Sequence, residues 1–159
     1  MKQKSLARWL KAAVIGVGVI LLFVYAFVIP AYGASLVSQY PEFSNRYLPW
    51  LVFLSLTALP CICALILGWK IACAIGRDSS FTETNARRLK RIAALAAGDS
   101  AFFFLGNIVL LAFSMSHPGI MLFSLAFVFA GVAVSIAAAV LSHLVKKAAA
   151  LQEQSDLTI

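Results

Sequence analysis

Four long uncharged or nearly uncharged stretches alternate with short polar ones along this chain. The first runs from Ala12 to Tyr32, 21 residues without a charge. The others run from about Pro49 to Trp69, from Ile92 to Ser116 and from Ile120 to Val145. A helix needs about 20 residues to cross a hydrocarbon core about 30 Å thick, and each stretch meets that length. The pattern predicts an all-α polytopic membrane protein, a bundle of four transmembrane helices over residues 1–159, with spans at 12–32, 49–69, 92–116 and 120–145. A loop over residues 70–91 and a tail over 146–159 complete it.

Proline, glycine and capping residues punctuate these elements. Pro30 is expected to end or bend the first helix, because it lacks the N–H that would continue the ladder. The segment 33–48 reads as a polar and aromatic loop, with Tyr32, Tyr40, Tyr47 and Trp50 at its edges, where amphipathic rings favour the membrane–water boundary. Pro60 is expected to kink the second helix, while Pro49 fits a first turn. Thr82 can cap the third helix, with Glu83 in its first turn and Arg87 four residues on in the favourable order. That helix should run to about Ser116 and stop at the turn His117-Pro118-Gly119. The tail is expected to extend the fourth helix before fraying.

Composition strengthens the membrane reading. Hydrophobic residues make up 62% of the chain and charged ones 12%, against about 45–50% and 25% in soluble domains. A single water-soluble core could not hide so much apolar surface. The net charge of +7 could suggest nucleic acid, but aromatic–basic interleaving and a helix-turn-helix signature are missing from the sequence, so no direct nucleic-acid binding is expected. Instead, the charge is distributed as a topology signal. Twelve of the thirteen Lys and Arg flank the N-terminus, the 70–91 loop and the C-terminal end, and Arg46 alone falls in the opposite connections. Cations remain on the cytoplasmic side, so both termini and the 70–91 loop are predicted to face inward at the inner (cytoplasmic) membrane. The first apolar run is too long for the 7–15-residue core of a signal peptide, so it reads as a retained anchor.

Candidate chemistry centres on Asp99, the one acidic residue within a span. It lies about 12 Å past Arg91 along a helix. A carboxylate near mid-membrane costs about 2.5–3.5 kcal/mol on insertion scales, so it should face the bundle interior. Ser100, Asn107 and Ser114 recur every seven residues, and with Asp99 they read as one narrow polar stripe. That stripe is either a proton-, ion- or ligand-linked site or a structural seam with Asp99 neutral or hydrogen-bonded. Gly131 and Ser135 form a small-xxx-small pair for close helix packing. Cys61-x-Cys63 beside Pro60 superficially resembles a membrane thiol oxidoreductase, but the outer connections hold no cysteine to complete such chemistry. His117 and His143 stand apart from acids and thiols, so no metal site and no cofactor are expected. No nucleophile–base pair, phosphate loop or carboxylate pair is present, and the chain does not read as an enzyme. The basic loop residues Phe81, Thr82, Asn85, Arg87, Arg88, Lys90 and Arg91, together with Asp156, Leu157 and Thr158 of the tail, form the candidate surface for a partner or for anionic lipid.

Short motifs carry a family resemblance. Phe81-Thr82, then Asn85, then Leu89-Lys90-Arg91-Ile92 resembles an F-S-x-x-N…L-K-x-I pattern, and the end K-K-A-x-x-L-Q-E-Q-S-D-L-T-I resembles a tail closing in N-D-L-T and Ile or Val. Leu59-Pro60 fits as well. Both belong to a bacterial family of small four-helix inner-membrane proteins of unknown function. This chain departs from it with Thr82 for Ser and Ser155 for Asn. The resemblance implies, by genomic association, a cytoplasmic helix-turn-helix regulator as partner. The expected function is thus a regulatory or adaptor component acting through loop and tail, with a homo-oligomer as one assembly. The alternative is a small transporter or channel subunit built on Asp99.

Overall fold

The computed structural model describes residues 3–116 and 118–156. Within them, four helical stretches are long and apolar enough to cross a membrane: Gln3–Gln39, Ser44–Ile75, Glu83–Ala112 and Gly119–Ser155. The first comprises α1 (Gln3–Phe23), a π-helical turn (Val24–Val28) and α2 (Ile29–Gln39). A 3-10 turn (Pro41–Arg46) leads into α3 (Tyr47–Leu56) and α4 (Ala58–Ile75), which form the second span. The third is α5 (Glu83–Ala112) and the fourth α6 (Pro118–Asp156).

The first helix does not end at Pro30. It continues to Gln39, so much of the expected 33–48 loop is helical. The reason lies one turn earlier. Pro30 has no N–H to offer, and the π turn before it shifts the register, with the Ile29 N–H bonded to the Val24 carbonyl five residues back. One inserted residue lets the helix pass its proline. In the second span the break falls at Thr57, three residues before Pro60. Leu56, the residue whose carbonyl a normal residue 60 would bond, is where α3 ends.

The third helix begins where Thr82 caps it, its Oγ1 accepting the Asn85 N–H at 3.3 Å, and Glu83 and Arg87 pair at 3.8 Å on the exposed first turn. It ends at Ala112 rather than Ser116. Ser114 takes the left-handed conformation (φ 54°), with Ser114 N–H on the Leu111 carbonyl and Met115 N–H on the Leu110 carbonyl. This pair of bonds is a Schellman motif. The same motif closes α4, with Asp78 left-handed (φ 56°) and Ser79 N–H on the Ala74 carbonyl.

Consecutive spans pack together, most extensively α5 with α6, then α4 with α5 and α1 with α4. The α5–α6 seam is built from small residues at heptad spacing. Ala86, Ala93, Ser100 and Asn107 are buried on α5, and Ser124 and Ala138 on α6. Hydroxyls cross the seam to backbone carbonyls: Ser135 Oγ donates to Ala93 at 2.8 Å and Ser142 Oγ to Ala86 at 2.7 Å. Gly131 faces Ser100 so closely that a Cβ there would collide with the Ser100 Oγ. At one end of the molecule, α1 docks on the basic loop: Ala7 is buried against Gly76, Ser80 Oγ donates to Gln3 at 3.1 Å, and Lys11 Nζ sits 5.4 Å over the Trp69 ring. At the other end, Arg46 donates to the Ser114 carbonyl.

Candidate functional site

Three spans bring polar side chains together in the membrane interior, and in the first two an irregularity of the helix places them. The π turn of the first span carries Tyr25. The break before Pro60 carries Thr57, which is buried, and the next turn carries Cys61. Asp99 faces them from α5. The Tyr25 hydroxyl lies 2.6 Å from Thr57 Oγ1. Thr57 spends its one proton on the Leu54 carbonyl at 2.7 Å, so Tyr25 is the donor in that pair. The Cys61 thiol donates weakly to Asp99 Oδ2 at 3.7 Å.

Asp99 is incompletely satisfied. Its Oδ1 is buried and has no protein partner, and the ion pair of the described residues, Glu83–Arg87, lies far away along the helix. Buried carboxyl oxygens nearly always have partners, so an unmatched one marks a place to ask what it meets. In the sequence Cys61 reads only as half of a dithiol pair that lacks the outer cysteines its chemistry needs. It acts instead as a single donor to a carboxyl, while Cys63 two residues on is exposed. Tyr25 and Thr57 carried no signal in the sequence, because a tyrosine and a threonine in apolar runs read as interface or packing residues. The π turn and the break that aim them arise from Pro30 and Pro60, which were visible.

The expected stripe does not survive as one face. Ser100, one residue past Asp99, points into the α5–α6 seam, where its Oγ donates to the Ala96 carbonyl at 2.7 Å. Asn107 is also buried and donates to the Phe103 carbonyl at 2.7 Å. Ser114 is beyond the helix, in the closing turn. A heptad spacing aligns Ser100 with Asn107, but it rotates them about 80–100° from Asp99. Gly131 and Ser135 lie in the seam opposite Ser100 and Ala93.

The loop surface is likewise divided. Phe81 is 53% exposed, while Asn85 is 1% exposed. Asn85 donates to the Ser79 and Ser80 carbonyls at 2.9 and 3.1 Å, and accepts from Arg88 at 2.9 Å. It therefore cannot present itself to a partner, and the expectation that it would is corrected. Thr82 is spent on the cap, and Arg88 reaches the Lys70 carbonyl at 3.4 Å. Arg87, Lys90 and Arg91 remain exposed. The α6 backbone extends to Asp156, while Leu157 and Thr158 lie outside the described residues. The described residues hold no group of three or more His, Cys, Asp or Glu able to bind a metal.

The family model described as "Protein of unknown function (DUF2975)" matches residues 31–159. The "Uncharacterized membrane protein YoaS" of Bacillus subtilis (strain 168) is 31% identical over 155 residues, covering 95% of this chain and 96% of that protein. No solved structure matches the chain. Four helices fit to span a bilayer, the F-T-x-x-N cap and loop lock, and these two matches lead to one assignment: the chain belongs to the DUF2975 family of bacterial membrane proteins of unknown function.

Proposed function

We propose that this protein is a non-enzymatic regulatory component of the bacterial cytoplasmic membrane, whose state is set inside the bilayer at Asp99 and read at its basic end. The observation that supports this most is the buried, unpartnered Asp99 Oδ1 between the two spans whose helices are irregular. A carboxyl there can gain or lose a proton or a hydrogen-bonded ligand, and a π turn and a proline break are the backbone elements best able to adjust to it. The charge bias of the sequence supports an orientation with the N-terminus, the 76–82 loop and the C-terminal tail on the inner face, where exposed Phe81, Lys90 and Arg91 would meet a soluble regulator.

Hydrogen exchange of the 76–86 segment in proteoliposomes, at several internal pH values, tests the link. The titratable groups that face Asp99 are Tyr25 from the first span and Cys61 from the second. Protection should change with pH in the wild type and stay flat in Asp99→Asn. An unaltered pH response in Asp99→Asn would remove Asp99 from the mechanism.

A second reading, a small transporter or channel subunit, draws on the same unpartnered oxygen. It receives less support, because Ser100, Ser124, Asn107, Ser135 and Ser142 all donate to backbone carbonyls and lend no further polar steps to a path. A liposome flux present in the wild type and lost in Asp99→Asn would favour it over the regulatory reading.

A further inference from the structure

A groove of about 480 Å³ lies between α4 and α5, lined by Cys63, Ile66 and Leu67 on one helix and Arg91, Ala94 and Leu95 on the other. Every lining residue but one is apolar or a thiol. The exception, Arg91, comes last in the basic run before the apolar part of α5 begins at Ile92. The groove therefore joins a cation at the water boundary to an apolar trough directed into the bilayer. Its deep end at Leu95 is one helical turn from Asp99, on the same face.

We propose that this groove is a binding site for one anionic phospholipid, with an acyl chain along Ile66, Leu67 and Leu95 and the headgroup phosphate on Arg91. Three features select a lipid over other occupants. The trough is apolar along its length, which a free phosphate would not require. It opens to the side of the bundle, where hydrocarbon is present at high concentration. Its cation sits at the depth of a headgroup, and Arg91 forms no ion pair among the described residues, whereas Arg87 is paired with Glu83 and Arg88 is bonded to Asn85. A planar guanidinium is suited to bidentate phosphate recognition. Basic pockets between spans on the inner side of a membrane recognise headgroups in this way. The site does not depend on the role of Asp99, although its position would let a bound lipid bear on the neighbouring turn.

Native mass spectrometry of the full chain, titrated with phosphatidylglycerol or with phosphatidylcholine, tests the site. The wild type should retain phosphatidylglycerol in preference, and Arg91→Gln should weaken that retention roughly fivefold, the equivalent of about 1 kcal/mol per headgroup-facing charge. Ala94→Trp, which fills the trough, should abolish it. Lys90→Gln, outside the groove, should change it little. Equal losses in Lys90→Gln and Arg91→Gln would reduce the effect to diffuse surface charge and overturn the proposal. So would equal retention of the two lipids, or displacement of phosphatidylglycerol by millimolar inorganic phosphate. If Ala94→Trp does not fold, the contrast between Arg91→Gln and Lys90→Gln decides alone.

Discussion

Tyr25 donates a hydrogen bond to Thr57 across 2.6 Å, and that contact joins the one π turn of the described residues to the break in the second span. Each partner is placed by a proline five or three residues beyond it, Pro30 and Pro60. Two backbone interruptions that would each weaken a single helix are thus joined side chain to side chain.

The two sides of this bond should respond unequally to mutation. Tyr25→Phe leaves Thr57 still bonded to the Leu54 carbonyl and should cost about 0.6 kcal/mol, typical of hydrogen bonds within membranes. Thr57→Val strands a half-buried phenol and should cost about 1–3 kcal/mol. The double variant should be no worse than Thr57→Val alone. Equilibrium unfolding in mixed micelles measures all three, and additive losses would show that the bond does not couple the sites.

Gly131→Ala should separate α5 from α6. The new Cβ meets Ser100 Oγ at an impossible distance, and that hydroxyl can turn away only by giving up its bond to the Ala96 carbonyl. Overpacking of this kind costs about 1–3 kcal/mol. Adding Ser100→Ala should recover a large part of that loss, because it removes the colliding Oγ and leaves a Cβ at ordinary contact distance from the new methyl. Thermal unfolding of the single and double variants in detergent gives the comparison, and lack of recovery would mean that Gly131 matters for another reason.

Asn85→Ala should release the loop ahead of α5 without disturbing the spans. It deletes two bonds to the Ser79 and Ser80 carbonyls and the acceptor for Arg88, an expected loss of about 2–3 kcal/mol locally. Asn85→Asp should be worse, since it turns the carbonyl-facing donors into acceptors. Cleavage by trypsin at Arg77 is the readout. Both variants should be cut faster than the wild type, with the bundle core still protected.

Ser114→Gly should stabilise the protein by about 0.5–1 kcal/mol. Its left-handed backbone closes the Schellman motif at the end of α5, a conformation that is unfavourable for a serine and free for glycine, partly offset by the entropy glycine brings to the unfolded chain. An unchanged or lowered melting temperature would show that the serine side chain contributes something glycine cannot replace.

Legibility in the sequence followed range. The cap at Thr82 with Asn85 on its third position, the Glu83–Arg87 pair and the helix-breaking effect of Pro60 are local, and residues three or four apart meet whatever the rest of the chain does. Pro30 was legible as a disturbance but not as a π turn, since ending a helix and inserting one residue into it satisfy the same missing N–H. The stripe through Asp99 failed for a geometric reason. Neighbouring residues on a helix differ by about 100°, and spacing alone cannot say which of Asp99 and Ser100 faces which span. Asn85 was placed on the surface because it is polar and lies in a basic loop, and only the folded loop brings the Ser79 and Ser80 carbonyls to it.

By itself, the sequence determined that four helices are long and apolar enough to span a bilayer, because the cost of leaving a charge or an unpaired backbone group in hydrocarbon depends on composition and length alone. Which polar residues meet was decided only by the packed helices. Tyr25, Thr57, Cys61 and Asp99 come from segments 32 to 38 residues apart where they bond, and lipid, as apolar as the side chains it surrounds, exerts no hydrophobic force between spans. Close approach at Gly131, hydroxyls on carbonyls along the α5–α6 seam and two helix irregularities set the rotation of each span, and that rotation is what gathers these residues in one place.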